Sequence, residues 1–384
     1  MSLTDLAKKE LLAIFRNPVI LLTVFGGVIF YSFLYPLPYI HQVPTEQEIT
    51  LVNLDNSALS RQLERMVNAT PQVKIIKHAY TVEQAKQQFL NREVRGILVI
   101  PEHFYRDLLL GKSPVLAYAG DASYFLVYGT IVQGLAQAGA TLGAKAKVLR
   151  LLMEGEPLAS AQEQYSQIQV NMKPVFNPVL GYVDYVIPGV FILILQQTLA
   201  MGAGLMGGTE KYGNGYWKKV CPVKLLSIRI GLLVCIYYLL AMFYFGFSFD
   251  FYQINQLADS FLILRLLAPF FISSACIGVW LGALLPRREL VTFVVLISSM
   301  PLIFSAGFIW PLEAIPEPVI WLSCLFPSTP AIQSMMAVNQ MGAEFSQILP
   351  QWTLLWGQVI GWGSVACYSY RRQQQSPISQ AVKY

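Results

Sequence analysis

Charge is what this chain of 384 residues has least of: Asp, Glu, Lys and Arg together make up 13 % of it, about half of the roughly 25 % usual in soluble domains. So small a supply cannot cover the surfaces of two or three soluble domains, the reading that length alone invites. Histidine is scarce as well. His41, His78 and His103 stand far apart, without HExxH or paired-carboxylate spacing, so no metal or acid–base constellation is legible. The five cysteines, Cys221, Cys235, Cys276, Cys324 and Cys367, include no CxxC pair, which excludes zinc and thioredoxin-like redox readings. Most lie in apolar runs, where cysteine behaves as a small hydrophobe. No serine nucleophile elbow is present. A nucleotide loop is missing too. Gly111–Lys112–Ser113 has the right ending, but Arg106 stands where glycine is required, and Gly202–Gly207–Gly208–Thr209 has Gly208 in the lysine position. The chain is therefore expected to be no enzyme, with no catalytic, metal-binding or cofactor-binding residues of its own.

What is abundant is apolar. Hydrophobic residues form 55 % of the chain and the mean hydropathy is +0.49. A membrane helix needs about 20 mostly apolar residues, and six runs qualify: 18–40, 183–207, 225–247, 260–285, 290–311 and 352–370. The first is read as an uncleaved anchor, because no small-residue cleavage pattern follows Pro36–Ile40. Orientation follows from the basic residues of the short connections. One side carries thirteen: Lys8, Lys9 and Arg16, then Lys211, Lys218, Lys219, Lys224 and Arg229, then Arg287 and Arg288, then Arg371, Arg372 and Lys383. The opposite connections, 248–259 and 312–351, carry none. The expectation is an α-helical polytopic membrane protein of six transmembrane helices, with residues 1–17 and the tail 371–384 cytoplasmic and residues 41–182 external. The net charge of +5 is too weak to suggest nucleic acid.

The external segment reads as an inserted α/β domain. Ile49–Leu54, Val73–Ile76, Val94–Ile100 and Val115–Ala119 have strand character. Asp55–Asn56–Ser57 caps a helix over Ala58–Val67, Thr81 and Gln84 have capping-box spacing, and Pro101 suits the first residue of a helix ending near Gly111. Such alternation favours a mostly parallel sheet with helices on it. From Ala122 to about Tyr165 long helices are expected, with Gln133, Gln137, Lys145 and Lys147 arguing against a further span.

Arg265 is the charge placed most clearly inside a run. It either snorkels to the external interface or pairs with Asp184 or an anionic headgroup. So little buried charge disfavours an ion-coupled carrier. Gly202–Gly204–Gly207–Gly208, Gly278 with Gly282, and Gly357 with Gly361 let helices approach closely, within the chain or between subunits.

Four stretches taken in order resemble one family. Lys9–Glu10 with Arg16–Asn17–Pro18 is similar to an amphipathic entry helix ending in a turn. Ile49–Leu54–Asp55 with Val94–Ile100–Pro101–Phe104 resembles an external-domain signature. Asn177–Pro178 with Tyr185–Val186–Ile187–Pro188–Gly189 resembles the entry to a second span, and Pro301 through Ser305–Ala306–Gly307, Pro311, Pro316 and Phe326–Pro327–Ser328–Thr329–Pro330 resembles the stretch after a fifth. Together they are similar to the permease subunits of type-2 ATP-binding-cassette exporters, in the branch with a large external domain after the first span. The resemblance implies an entry helix acting through Lys9, Glu10, Arg16, Asn17 and Pro18. It also implies an ATPase-docking loop at Glu210, Lys211, Tyr212, Gly213, Trp217, Lys218 and Lys219, although Asn214–Gly215–Tyr216–Trp217 departs from the family pattern. ATP and Mg would sit on a separate cytoplasmic ATPase. A second permease subunit, the bilayer of a bacterial inner membrane and a periplasmic adaptor complete the implied partners. The implied substrate is amphipathic, hydrophobic or lipid-like. The rival reading is a non-transporting receptor or assembly factor of the same fold, whose external domain binds another protein.

Overall fold

The structure, a computed structural model, describes residues 2–39, 43–164, 175–177, 181–210 and 215–375. The chain divides into two compact units, residues 43–173 and the remainder.

The smaller unit is built on a four-stranded sheet of β1 (Gln47–Asn53), β2 (Val73–Ala79), β3 (Gly96–Ile100) and β4 (Ala117–Gly120), ordered β2-β1-β3-β4. β1 pairs parallel with both neighbours, Leu51 standing opposite Leu98, while β4 returns antiparallel on the edge. Both faces of β1 are covered, which explains its run of apolar residues. Ile49 and Leu51 pack with Leu63, Val67, Ile131 and Leu135 on one face, and Val52 packs with Ala79, Ala85 and Ile97 on the other. Helix Ala58–Asn68 starts where Ser57 Oγ accepts from Ser60 N at 3.1 Å. Helix Val82–Leu90 starts where Thr81 Oγ1 accepts from Gln84 N at 3.2 Å. The helix expected to open at Pro101 instead opens at Phe104 and ends at Leu109. His103, at φ 61°, turns the chain first. Helix Phe125–Met153 has 29 residues, enough to cross a membrane, but its Ile131, Leu135, Ala138 and Leu142 are buried in the sheet's core.

The larger unit is helical. An entry helix, Leu3–Arg16, buries Leu6, Glu10 and Ile14 along one face and exposes Leu11, Leu12 and Phe15. It stops because Asn17, preceding a proline, is held extended at ψ 108°. The next helix starts at once: Asn17 Oδ1 accepts from Val19 N at 3.0 Å and Ile20 N at 3.4 Å, and Pro18 occupies the first helical position. Asn17→Ala is expected to cost about 1 kcal/mol, read as a lower apparent melting temperature of the purified chain, with Asn17→Asp close to the parent.

Among the described residues, four helices are long and apolar enough to span a membrane: Pro18–Tyr39, Tyr182–Gly208, Pro222–Phe251 and Ser260–Leu284. The protein is thus a multi-pass membrane protein with an inserted α/β unit. The run expected at 290–311 forms a shorter helix, Glu289–Ser305, of 17 residues, and the chain turns after it at Gly307, φ +87°. The run at 352–370 lies in a helix of 27 residues, Leu349–Gln375, whose Gln, Ser, Trp and Arg residues lower its hydropathy. Helix Ser328–Gln340, inside a stretch expected to be an external connection, is almost wholly buried. At 13 residues it is too short to cross.

The Tyr182–Glu210 helix is the centre of this unit. Its Ala200–Gly204 stretch lies against Gly278 and Gly282 of the Ser260–Leu284 helix. A Cβ at Gly278 would stand 2.4 Å from Ala200 O, and one at Gly282 would stand 2.4 Å from Gly204 O. These glycines therefore serve packing within the chain. Gly357 and Gly361 meet nothing within 4 Å.

Candidate functional site

Where the entry helix meets the end of the Tyr182–Glu210 helix, three charged side chains are enclosed together. Arg229, fully buried in the Pro222–Met242 helix, donates from Nε to Glu10 Oε2 at 2.7 Å and from Nη2 to Glu10 Oε1 at 3.0 Å. Its Nη1 donates to Glu210 Oε2 at 3.0 Å, and Nη2 also reaches Glu210 Oε1. Two tyrosines complete the cluster. Tyr216 Oη donates to Glu10 Oε1 at 2.6 Å and Tyr370 Oη to Glu210 Oε2 at 2.7 Å.

The chemistry explains the residue types. Two carboxylates share one guanidinium, leaving one formal negative charge in a site where Glu10 is 0 % and Glu210 7 % exposed. Burial of ions is tolerated only when their remaining lone pairs and protons are satisfied. Here every carboxylate oxygen accepts at least one hydrogen bond, and the phenol donors spread the excess charge. Only arginine presents donors in a rigid fork able to grip two carboxylates at once. Glu210 has an added need for it, because a carboxylate at the last residue of a helix faces the negative end of the helix dipole. Burial, and then the hydrogen bond to Glu10, push the Tyr216 hydroxyl well above the usual tyrosine range, so it stays a donor.

Five separate segments meet in this cluster: the entry helix, the Tyr182–Glu210 helix, the turn Tyr216–Lys219, the Pro222–Met242 helix and the last helix. The last helix adds two further ties. Gln374 Nε2 donates to Trp217 O at 2.9 Å, and Gln373 Nε2 to Gly207 O at 3.3 Å.

Among the residues singled out in the sequence, Glu10 and Glu210 are thus brought together. The Lys9 ammonium lies 5.7 Å from the centroid of the Tyr216 ring, and Trp217 meets that ring edge-on at 5.5 Å. Asn17 and Pro18 form the cap already described, with Arg16 exposed beside it. Lys218 and Lys219 share the turn with Tyr216. Lys211, Tyr212 and Gly213 lie outside the described residues. Arg265 takes no part: its Cζ stacks 3.6 Å from the Phe345 ring centroid and 5.3 Å from that of Trp352. It forms no ion pair with Asp184 among the described residues; the Asp184 carboxylate accepts from Asn255 N at 3.3 Å. No group of three or more metal-ligating side chains occurs among them either.

Sequence reasoning passed over Arg229 as a site residue. It lies within the run 225–247, and although it counts among the basic residues next to the preceding loop, its position inside an apolar run is itself the signal. Tyr370 carried no local signal at all.

Residues 18–368 match the family model described as ABC-2 family transporter protein. Glu10 and Tyr370, at the two edges of the buried cluster, lie just outside the matched range. No curated protein matches this chain.

Proposed function

This chain belongs to the ABC-2 family of transporter proteins, and from that premise we propose that it is the permease of an exporter moving an amphipathic or lipid-like substrate out of the cytoplasm or inner leaflet. ABC-2 permeases are non-catalytic transport subunits that work with an ABC ATPase, and ATP binds on that partner. In this reading the shorter Glu289–Ser305 helix and the last helix complete six passages. Both termini are cytoplasmic, as the distribution of basic residues suggests, the membrane is a bacterial inner membrane, and the α/β unit is external, where it can meet a periplasmic adaptor. The exposed stripe of Phe293, Leu296, Ile297, Met300 and Phe304 supports a surface facing lipid, substrate or a second permease subunit.

Coupling is the part carried by one observation, the Glu10–Arg229–Glu210 cluster. The ATPase docks on the loop from Glu210 through Lys211, Tyr212 and Gly213 to Trp217, Lys218 and Lys219, and on the entry helix at Lys9. Its closure pushes on segments that Arg229 ties to the Pro222–Met242 helix and, through Tyr370, to the last helix. A push at the loop therefore tilts several helices together, a rigid-body route of the kind that bistable packed interfaces support.

The test is recovery of a Walker-type ATPase, co-expressed from neighbouring genes, with the affinity-purified chain. Stoichiometric recovery is expected, together with its loss when Lys211, Lys218 and Lys219 are all changed to glutamate. Those changes spare Glu210 and Tyr216, so the cluster stays intact. A folded chain that recovers no ATPase would turn the reading to a receptor or assembly factor.

A further inference from the structure

Within the α/β unit there is a cleft of about 510 Å³ between the long helix and the segment after Phe104. Its size falls in the range of about 300–1,000 Å³ typical of small-ligand sites. Leu63, Phe104, Leu108, Leu116 and Leu142 give it an apolar wall. Room is left because the long helix presents Gly139, Gly143 and Ala146 there, one turn apart. A Cβ placed on Gly143 would meet nothing within 4 Å.

The charged groups of the lining are all of one sign. Lys112, Lys147 and Arg150 line the cleft, and among the described residues no carboxylate does. Lys147 and Arg150 sit one turn apart on the long helix, and Lys112 follows the turn at Gly111, φ +72°. That left-handed backbone is what calls for glycine, and the Arg150 guanidinium lies over the same position. Two acidic residues lie nearby but outside the lining: Asp107 is 3.8 Å from Lys112 Nζ and Glu154 is 3.6 Å from Arg150 Nε. Neither supplies Arg150 Nε with a hydrogen bond, and among the described residues this buried donor has no acceptor. A buried donor without an acceptor carries a desolvation penalty that a ligand oxygen would relieve.

An apolar wall, three cations and a donor in want of an acceptor describe a ligand with a hydrocarbon body and an anionic head. We propose that this cleft binds a single-chain anionic amphiphile, the acyl chain on the leucine and phenylalanine wall and the carboxylate or phosphate against Lys112, Lys147 and Arg150. The Gly111–Lys112–Ser113 sequence, which fails as a nucleotide loop, here holds one edge of the anion site. The assignment uses only residues of this unit and stands whether or not the permease couples through the arginine cluster.

The experiment uses the full chain in lipid nanodiscs, because detergent would compete as an amphiphile. Three diazirine-bearing probes are compared: palmitate, lysophosphatidic acid and the uncharged hexadecanol. Adducts are mapped by mass spectrometry after irradiation. Saturable labelling of residues 104–116 and 139–150 by an anionic probe is expected, at least about tenfold above the alcohol, as a charge-assisted hydrogen bond implies. Preference for palmitate assigns a carboxylate ligand, and preference for lysophosphatidic acid a phosphate. Arg150→Gln should reduce labelling by about tenfold or more. Gly143→Leu, which fills the cleft and replaces glycine by a better helix former, should abolish it while the melting temperature is kept. Labelling absent from the cleft, equal for the alcohol, or unchanged in both variants would overturn the proposal.

Discussion

Arg229→Ala is expected to lower the stability of the helical unit by about 3–5 kcal/mol, the range for stranding a buried charge by removing its partner. The loss is large because two groups are left behind. Glu10 and Glu210 would face each other in an enclosed site, with the Tyr216 and Tyr370 hydroxyls as the donors that remain among the described residues. The readout is a sharp drop in the apparent melting temperature and in the yield of monodisperse protein. Salt should not rescue it, since screening acts weakly on buried charge. Arg229→Lys should fall between, because one ammonium cannot reproduce the fork that now serves both carboxylates. A further variant separates folding from coupling. Arg229→Met combined with Glu10→Gln and Glu210→Gln removes all three charges while keeping volume and some hydrogen bonding, and neutral replacements of buried ion clusters are often tolerated. That protein should fold, bind its ATPase and fail to modulate ATP turnover. A single Arg229→Ala chain with unchanged melting and transport would show that the cluster neither holds nor couples these helices.

The second large effect is steric. Gly282→Ala should destabilise by about 3 kcal/mol, the upper end for overpacking, because the added Cβ would lie 2.4 Å from Gly204 O and 3.0 Å from Gly204 Cα. Those are backbone atoms, so no side-chain rotation relieves the clash and the two central helices must separate. Gly278→Ala faces the same obstacle at Ala200 O. Gly357→Ala and Gly361→Ala supply the contrast. They have the same spacing but open surroundings, and should be neutral or stabilising by up to about 1 kcal/mol through helix propensity. Thermal unfolding of the four variants side by side decides the matter, and equal melting for Gly282→Ala and Gly361→Ala would refute the packing role.

These glycines mark the boundary between what was legible and what was hidden. Their spacing promised a close helix approach, yet only the partner backbone distinguishes Gly282 from Gly361. The same holds for charge. Counting basic residues placed Arg229 in a loop, whereas its environment is set by Glu10, which lies 219 positions earlier in the chain. The span count suffered from a related limit: the runs at 290–311 and 352–370 met a composition rule, while the helices they formed depended on the turn at Gly307 and on polar residues flanking the last run. Helix Ser328–Gln340 escaped because its burial comes from neighbouring helices, and its own residues include Ser, Thr, Gln and Asn.

By itself the sequence determined the membrane character, the inserted unit with its parallel strands, and the break at Asn17–Pro18. Each rests on interactions within a few residues, such as apolar runs, alternation and caps, and these are written locally. The tertiary structure alone decided that Glu10, Glu210, Tyr216, Arg229 and Tyr370 form one buried cluster, which glycines touch a neighbouring backbone, and that Lys112 joins Lys147 and Arg150 at a cleft. Each depends on groups distant in the chain sharing a space from which water is excluded. Packing and electrostatic energies are set there by neighbours that no local pattern records.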